Sequence, residues 1–195
     1  LDVMRLFWAQ VAPRQNGNLG KGEIDALAAV NTDCATRAKG QPQIPADSDL
    51  SVPATQAGKK DFFTLQRQAA AALAVGESRW RITDFVTLGS PLTHAEFLIA
   101  RDEPRFQRMV KERLLPQSPP LLESPGPTTG DQWSFLYTPT SGGGPRPHHA
   151  AMFASIRWTA VFDPRRRQFF GDFVGGPLKA LFGPGVVEIP VSIKR

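Results

Sequence analysis

The sequence predicts an α/β domain with a mainly parallel sheet and helices on its faces. Three short runs rich in β-branched and aromatic residues, 82–88, 156–162 and 186–193, read as strands. Patterns of helical spacing lie before and between them, at 1–11, 61–75, 94–100 and 104–115. Strands separated by helices argue a parallel sheet, since each crossover carries the chain back to the same edge.

The elements follow in order. LDVMRLFWAQV places Met4, Phe7, Trp8 and Val11 on one helical face, and Pro13 with the following Gln15-Asn16-Gly17-Asn18 ends it. Residues 12–60 read as a long loop excursion with little periodicity, relieved at most by a short helix over 22–30. Asp61 is placed to cap the alanine-rich helix FFTLQRQAAAALAV, which Gly76 closes. WRITDFVTL, 80–88, is the first strand, ending at Gly89-Ser90-Pro91. Thr93 and Glu96 have capping-box spacing for HAEFLIA, and Pro104 suits the first turn of the next helix.

Residues 116–147 are rich in Pro, Gly and Ser around an apolar island at 133–137, and the whole of 93–155 is expected to form a lid- or cap-type insertion. A helical turn at 150–155 leads into the strand IRWTAVF. A turn-rich 171–176, a short helix at 178–182 and the third strand complete a single domain over 1–195.

Composition limits the function classes. At 41% apolar and 21% charged residues, the 195-residue chain is an ordinary globular mix, enough to bury one core. The single Cys34 excludes an internal disulfide framework; it favours a cytoplasmic compartment only weakly, and the localisation stays open. The net charge of +5 includes the run Arg165-Arg166-Arg167. No aromatic–basic interleaving accompanies it, so no nucleic-acid partner is expected and a solvated surface is the better reading. No apolar run reaches the ~20 residues of a membrane-spanning helix, so no transmembrane segment is expected. No signal peptide is visible. Leu1 already sits inside a helical pattern, and the true N-terminus is expected elsewhere.

In open parallel sheets ligands gather at the C-terminal ends of the strands. Two turn segments lie there, 89–92 and 163–176. VTLGSPLTHA resembles the strand and turn after the sixth strand of lipase- and esterase-like α/β hydrolases. RWTAVFDP with GDFVGGPLKALFGPGV resembles their seventh strand, acid-bearing loop and following helix. LDVMRLFWAQ resembles the helix leaving their nucleophile elbow. The resemblance covers most of the chain in order, with the long loops as gaps.

It implies the C-terminal part of an α/β-hydrolase fold, a partial three-layer α/β/α sandwich, taken from a serine hydrolase acting on ester or related acyl bonds. The family's G-x-S-x-G elbow occurs nowhere in the sequence, and its histidine would follow the last strand. The isolated chain is therefore expected to be inactive. The triad acid implied is Asp172, with Asp163 as the alternative. Gly89, Ser90, Pro91, Leu92 and His94 would form the pocket rim, and the substrate would be a small or lipid-like ester met by the full-length parent.

Other candidates carry less. Ser90 stands on a tight turn with His94 four residues on. It lacks the second glycine of an elbow, and Pro91 removes an oxyanion-hole N–H, so a nucleophilic role is disfavoured. His148-His149 have no acid or cysteine at ligand spacing, and no metal is expected. Cys34 lies in an unpatterned polar stretch without a paired histidine. The four tryptophans fit packing, and no glycine run makes a phosphate loop, so no cofactor is expected. The competing readings are a non-enzymatic basic module using Arg101, Arg105, Arg108, Lys111, Arg113 and Arg165-Arg166-Arg167, or a hydrolase-fold scaffold with a decayed triad.

Overall fold

The computed structural model describes residues 2–11, 19–40, 56–76, 80–164 and 175–192. Helices α1 (Asp2–Val11), α2 (Lys21–Gly40) and α3 (Gln56–Val75) precede strand β1 (Asp84–Leu88). Then come α4 (Ala95–Leu98), α5 (Glu103–Lys111), the two-residue strands β2 (Leu136–Tyr137) and β3 (Arg146–Pro147), β4 (Arg157–Phe162), α6 (Lys179–Phe182) and β5 (Val187–Pro190).

The expected parallel sheet is present. Its order is β1-β4-β5, with Leu88 opposite Val161 and Val161 opposite Ile189. Each strand is shorter than the run that predicted it. Residues 80–83 lie outside β1, and Trp80 is instead buried edge-on against Trp8 of α1, ring centroids 4.9 Å apart. β2 and β3 pair antiparallel in a separate small sheet.

The core gathers on Trp158 of the central strand, which shares one strand face with Ala160; both are buried. The indole stacks on Phe153 at 4.7 Å, meets Phe85 and Phe182 at 5.4 and 4.9 Å, and donates from Nε1 to Thr87 Oγ1 at 3.2 Å. Such ring pairs add about 0.5–1.5 kcal/mol each beyond the area they bury. α3 packs on β4 and on the 3-10 turn Ala151–Ala154 that precedes it. Its buried Gln66 donates to the carbonyls of Phe153 and Ile156, at 2.7 and 2.8 Å, satisfying backbone acceptors in the 3-10 turn and just before β4.

The excursion expected over 12–60 is corrected by α2, a 20-residue helix rather than a short one over 22–30. Leu27, Val30 and Cys34 repeat at i, i+3 and i+7 on its buried face, which packs on α3. Cys34 is thus a core residue on a helix, not part of an unpatterned loop. Polar residues mask the period because they do structural work elsewhere. Asn31 Oδ1 accepts from Ser134 Oγ and from the Phe135 N–H, at 3.2 and 2.8 Å, and so fixes the apolar island to α2. Glu23 Oε2 accepts the Gly20 N–H at 2.6 Å, the reciprocal half of a capping box. α3 starts at Gln56, so Asp61 falls within the helix instead of capping it, while Gly76 closes it as expected, its N–H bonding Ala72 O at 2.8 Å.

The helix expected over 94–100 is reduced to a 3-10 turn, Pro91–His94, and the single turn α4. Its cap is Ser90, not Thr93. The Thr93 hydroxyl donates instead to Pro177 O at 3.2 Å, a tertiary bond that removes it from capping duty. α5 begins at Glu103, capped by Asp102 Oδ1 accepting the Arg105 N–H at 2.8 Å, with Pro104 in the first turn. It stops at Lys111 rather than 115, because the chain turns through Arg113 at φ 58 and buries Leu115. Residues 93–155 also supply Phe106, Val110, Phe135, Met152 and Phe153 to the core.

Candidate functional site

Because the strands run parallel, β1, β4 and β5 end at one sheet edge, at Leu88, Phe162 and Pro190. Gly89 leaves β1 at φ 52, in the left-handed region that favours glycine, and its N–H bonds Val161 O at 2.9 Å. The turn is thereby tied to the neighbouring strand. Ser90 Oγ accepts the Leu92 N–H at 3.3 Å, Pro91 takes the first position of the 3-10 turn, and Leu92 is half-buried against the core. His94 is exposed. Neither an imidazole nor a carboxylate bonds Ser90 among the described residues, so its hydroxyl has the geometry of a cap, not of an activated nucleophile.

Asp163 follows β4 directly and is half-buried at this edge. Asp172 and Arg165-Arg166-Arg167 lie outside the described residues. The chain comes back to the edge at Gly176. A Cβ there would stand 2.7 Å from Thr93 Oγ1, and Thr93 bonds the next carbonyl, that of Pro177. Downstream, Glu188 of β5 accepts the Leu178 and Lys179 N–H groups, both at 2.8 Å, and so pins the start of α6 to the sheet. The edge therefore joins the 89–94 turn, Asp163 and the 175–177 return.

Thr93 and Gly176 were missed as site-forming residues by sequence reasoning. The glycine pair at 175–176 was a usable signal of close backbone approach, but nothing local names the partner 83 residues away.

The two adjacent histidines stand apart from this edge. His148 is buried, bonding Leu121 O through Nε2 at 2.9 Å and accepting the Ala150 N–H through Nδ1 at 3.2 Å. Burial lowers its pKa from 6.5 to about 4, so it is a neutral structural ring. His149 Nε2 bonds Arg113 O at 3.0 Å. Among the described residues no group of three His, Cys, Asp or Glu side chains is placed to hold a metal ion. Among those residues, too, no helix is long and apolar enough to cross a membrane. No protein-family model matches the chain, and neither a curated protein nor a solved structure matches it.

Proposed function

We propose that the chain forms the acid-bearing C-terminal part of an α/β-hydrolase-type serine hydrolase acting on ester or related acyl bonds. The observation that carries this reading is the junction at the sheet edge. A turn after one parallel strand is held against the return of the loop after the next, through Thr93 and Gly176. This is the position where a Ser-His-Asp site in such a sheet needs an acid and a pocket wall.

On this reading the sheet belongs to a three-layer α/β/α sandwich, Asp172 orients the histidine, and Asp163 is the alternative. Gly89, Ser90, Pro91, Leu92 and His94 line the rim. Residues 93–155 act as the cap over a small or lipid-like ester. The sequence holds no G-x-S-x-G, and the reading assigns the nucleophile and the histidine to the full-length parent.

The test has two arms. The product of the full reading frame should react with a fluorophosphonate probe, and the 195-residue chain alone should hydrolyse a short activated ester no faster than its Ser90→Ala variant. Turnover by the isolated chain that Ser90→Ala abolishes would overturn the reading. So would a folded full-length product that the probe leaves unlabelled.

A further inference from the structure

We propose that a second site, away from the sheet edge and independent of the hydrolase reading, binds a small oxyanion, a carboxylate or phosphate group, against Arg146. An open cleft of about 300 Å³ lies between α1, the chain after α5 and the β2–β3 pair. Its walls carry Arg113, Glu123, Tyr137, Arg146, His148 and His149, with Ala9 and Pro147 as apolar surface. That volume is at the lower end for a ligand pocket, roughly 300–1,000 Å³, and suits a small molecule.

The cations of the cleft are not equivalent. Arg113 is spent internally, its Nε 3.2 Å from Glu123 Oε1. Arg146 has no carboxylate partner among the described residues. Its guanidinium lies over the Tyr137 ring, 5.5 Å from the centroid, and its Nε is enclosed without an acceptor. An enclosed donor left unmet is unfavourable, and an incoming oxygen that the wall moves to admit recovers that cost. A guanidinium carried on an aromatic face keeps its planar N–H fork for bidentate contact with an oxyanion. Arg113 and Glu123 cancel within the cleft, and Arg146 adds a positive charge that neither of them offsets.

The wall is also built rather than incidental. Arg113 holds φ 58, a conformation usually left to glycine, and its carbonyl accepts from both Arg5 Nη1, at 3.5 Å, and His149 Nε2, at 3.0 Å. Those bonds, with the Glu123 pair, hold in place a residue whose backbone is strained. The same arrangement occupies Arg113 and leaves Arg146 as the cation to be answered.

The experiment is calorimetric titration of the purified chain with inorganic phosphate and, separately, with acetate, at constant ionic strength in chloride. At least one probe should saturate a single site, and which one does so assigns the ligand class. Arg146→Gln should weaken that binding at least tenfold, while Arg108→Gln, exposed on α5, should leave it unchanged. Arg146→Lys, which keeps charge and bulk but loses the fork, should bind more weakly than the wild type and serves if the glutamine variant does not fold. The proposal is overturned by non-saturating heats with both probes, by equal effects of Arg146→Gln and Arg108→Gln, or by an Arg146→Lys variant that binds like the wild type.

Discussion

Thr93 and Gly176 touch across 83 residues of chain, the threonine hydroxyl lying 2.7 Å from the point where a Cβ on the glycine would stand. The same hydroxyl donates to Pro177 O, so contact and hydrogen bond together clamp the loop after β4 to the turn after β1. Gly176→Ala should therefore lower unfolding free energy by about 1–3 kcal/mol, the usual cost of overpacking. Thr93→Ala alone should cost about 0.5–1.5 kcal/mol for the lost hydrogen bond. The double variant should be more stable than the two losses summed, because removing the hydroxyl makes room for the methyl. Urea unfolding of the four proteins measures this cycle, and strict additivity would mean the clash is relieved elsewhere.

Cys34 should be inert in the native state. Burial in the α2–α3 interface, and then the neighbouring Asp33 carboxylate, push its thiol up to about 12. Attack requires thiolate, of which almost none exists at pH 8. An aromatic disulfide reagent should titrate one thiol only after urea is added. Rapid native labelling would show that α2 opens locally.

His148 should make the fold acid-sensitive over a defined window. Its folded pKa, about 4, lies below the unfolded value of 6.5. The unfolded chain therefore takes up a proton as pH falls through 6.5, while the folded chain does not until about 4. The stabilisation is fully present above 6.5 and is lost as pH falls between those values. Its ceiling is about 3 kcal/mol. His148→Gln should flatten the slope of unfolding free energy between pH 6.5 and 5. An unchanged slope would rule out His148 as its source.

The parallel sheet was legible because β-branched and aromatic runs signal buried strands from local sequence alone. α2 was not. Its buried Leu27, Val30 and Cys34 have helical spacing, but Asn31, Thr32 and Asp33 between the last two, and Thr36 after them, weaken the pattern. Asn31 is polar because it holds the 133–137 island, a partner more than 100 residues away. The β2–β3 pair was invisible for another reason: two residues per strand have no period to detect. At the site, the turn after β1 could be read from Gly89 to Leu92. The clamp onto Gly176 and the pairing that leaves Arg146 unanswered could not, since both depend on tertiary contacts.

Asn31 supplies a direct check of that argument. Asn31→Ala should destabilise the fold by about 1–3 kcal/mol, since the Phe135 N–H beside a fully buried ring would lose its acceptor. Thr32→Ala, one position away and exposed, should change stability by less than about 0.5 kcal/mol. Equal effects would place the importance of α2 in helix propensity and not in this bond.

The choice between Asp172 and Asp163 can be decided in the parent enzyme proposed here. A triad acid has to reach a histidine arriving from another loop, so it needs chain that turns back toward the sheet edge. Asp163 comes straight off β4 and is followed by Pro164, which disfavours a helical turn and favours an extended exit. Asp172 precedes by three residues a segment that does return, with Gly176 against Thr93 beside the 89–92 turn. Glycines on both sides, Gly171 and the Gly175-Gly176 pair, give that stretch the backbone freedom to bend. Asp172→Asn should therefore lower kcat on the order of 10³–10⁴-fold with the fold intact, because the amide holds the wrong histidine tautomer. Asp163→Asn should cost far less. Steady-state kinetics with a thermal-melt control decides between them, and the reverse ranking transfers the acid's role to Asp163.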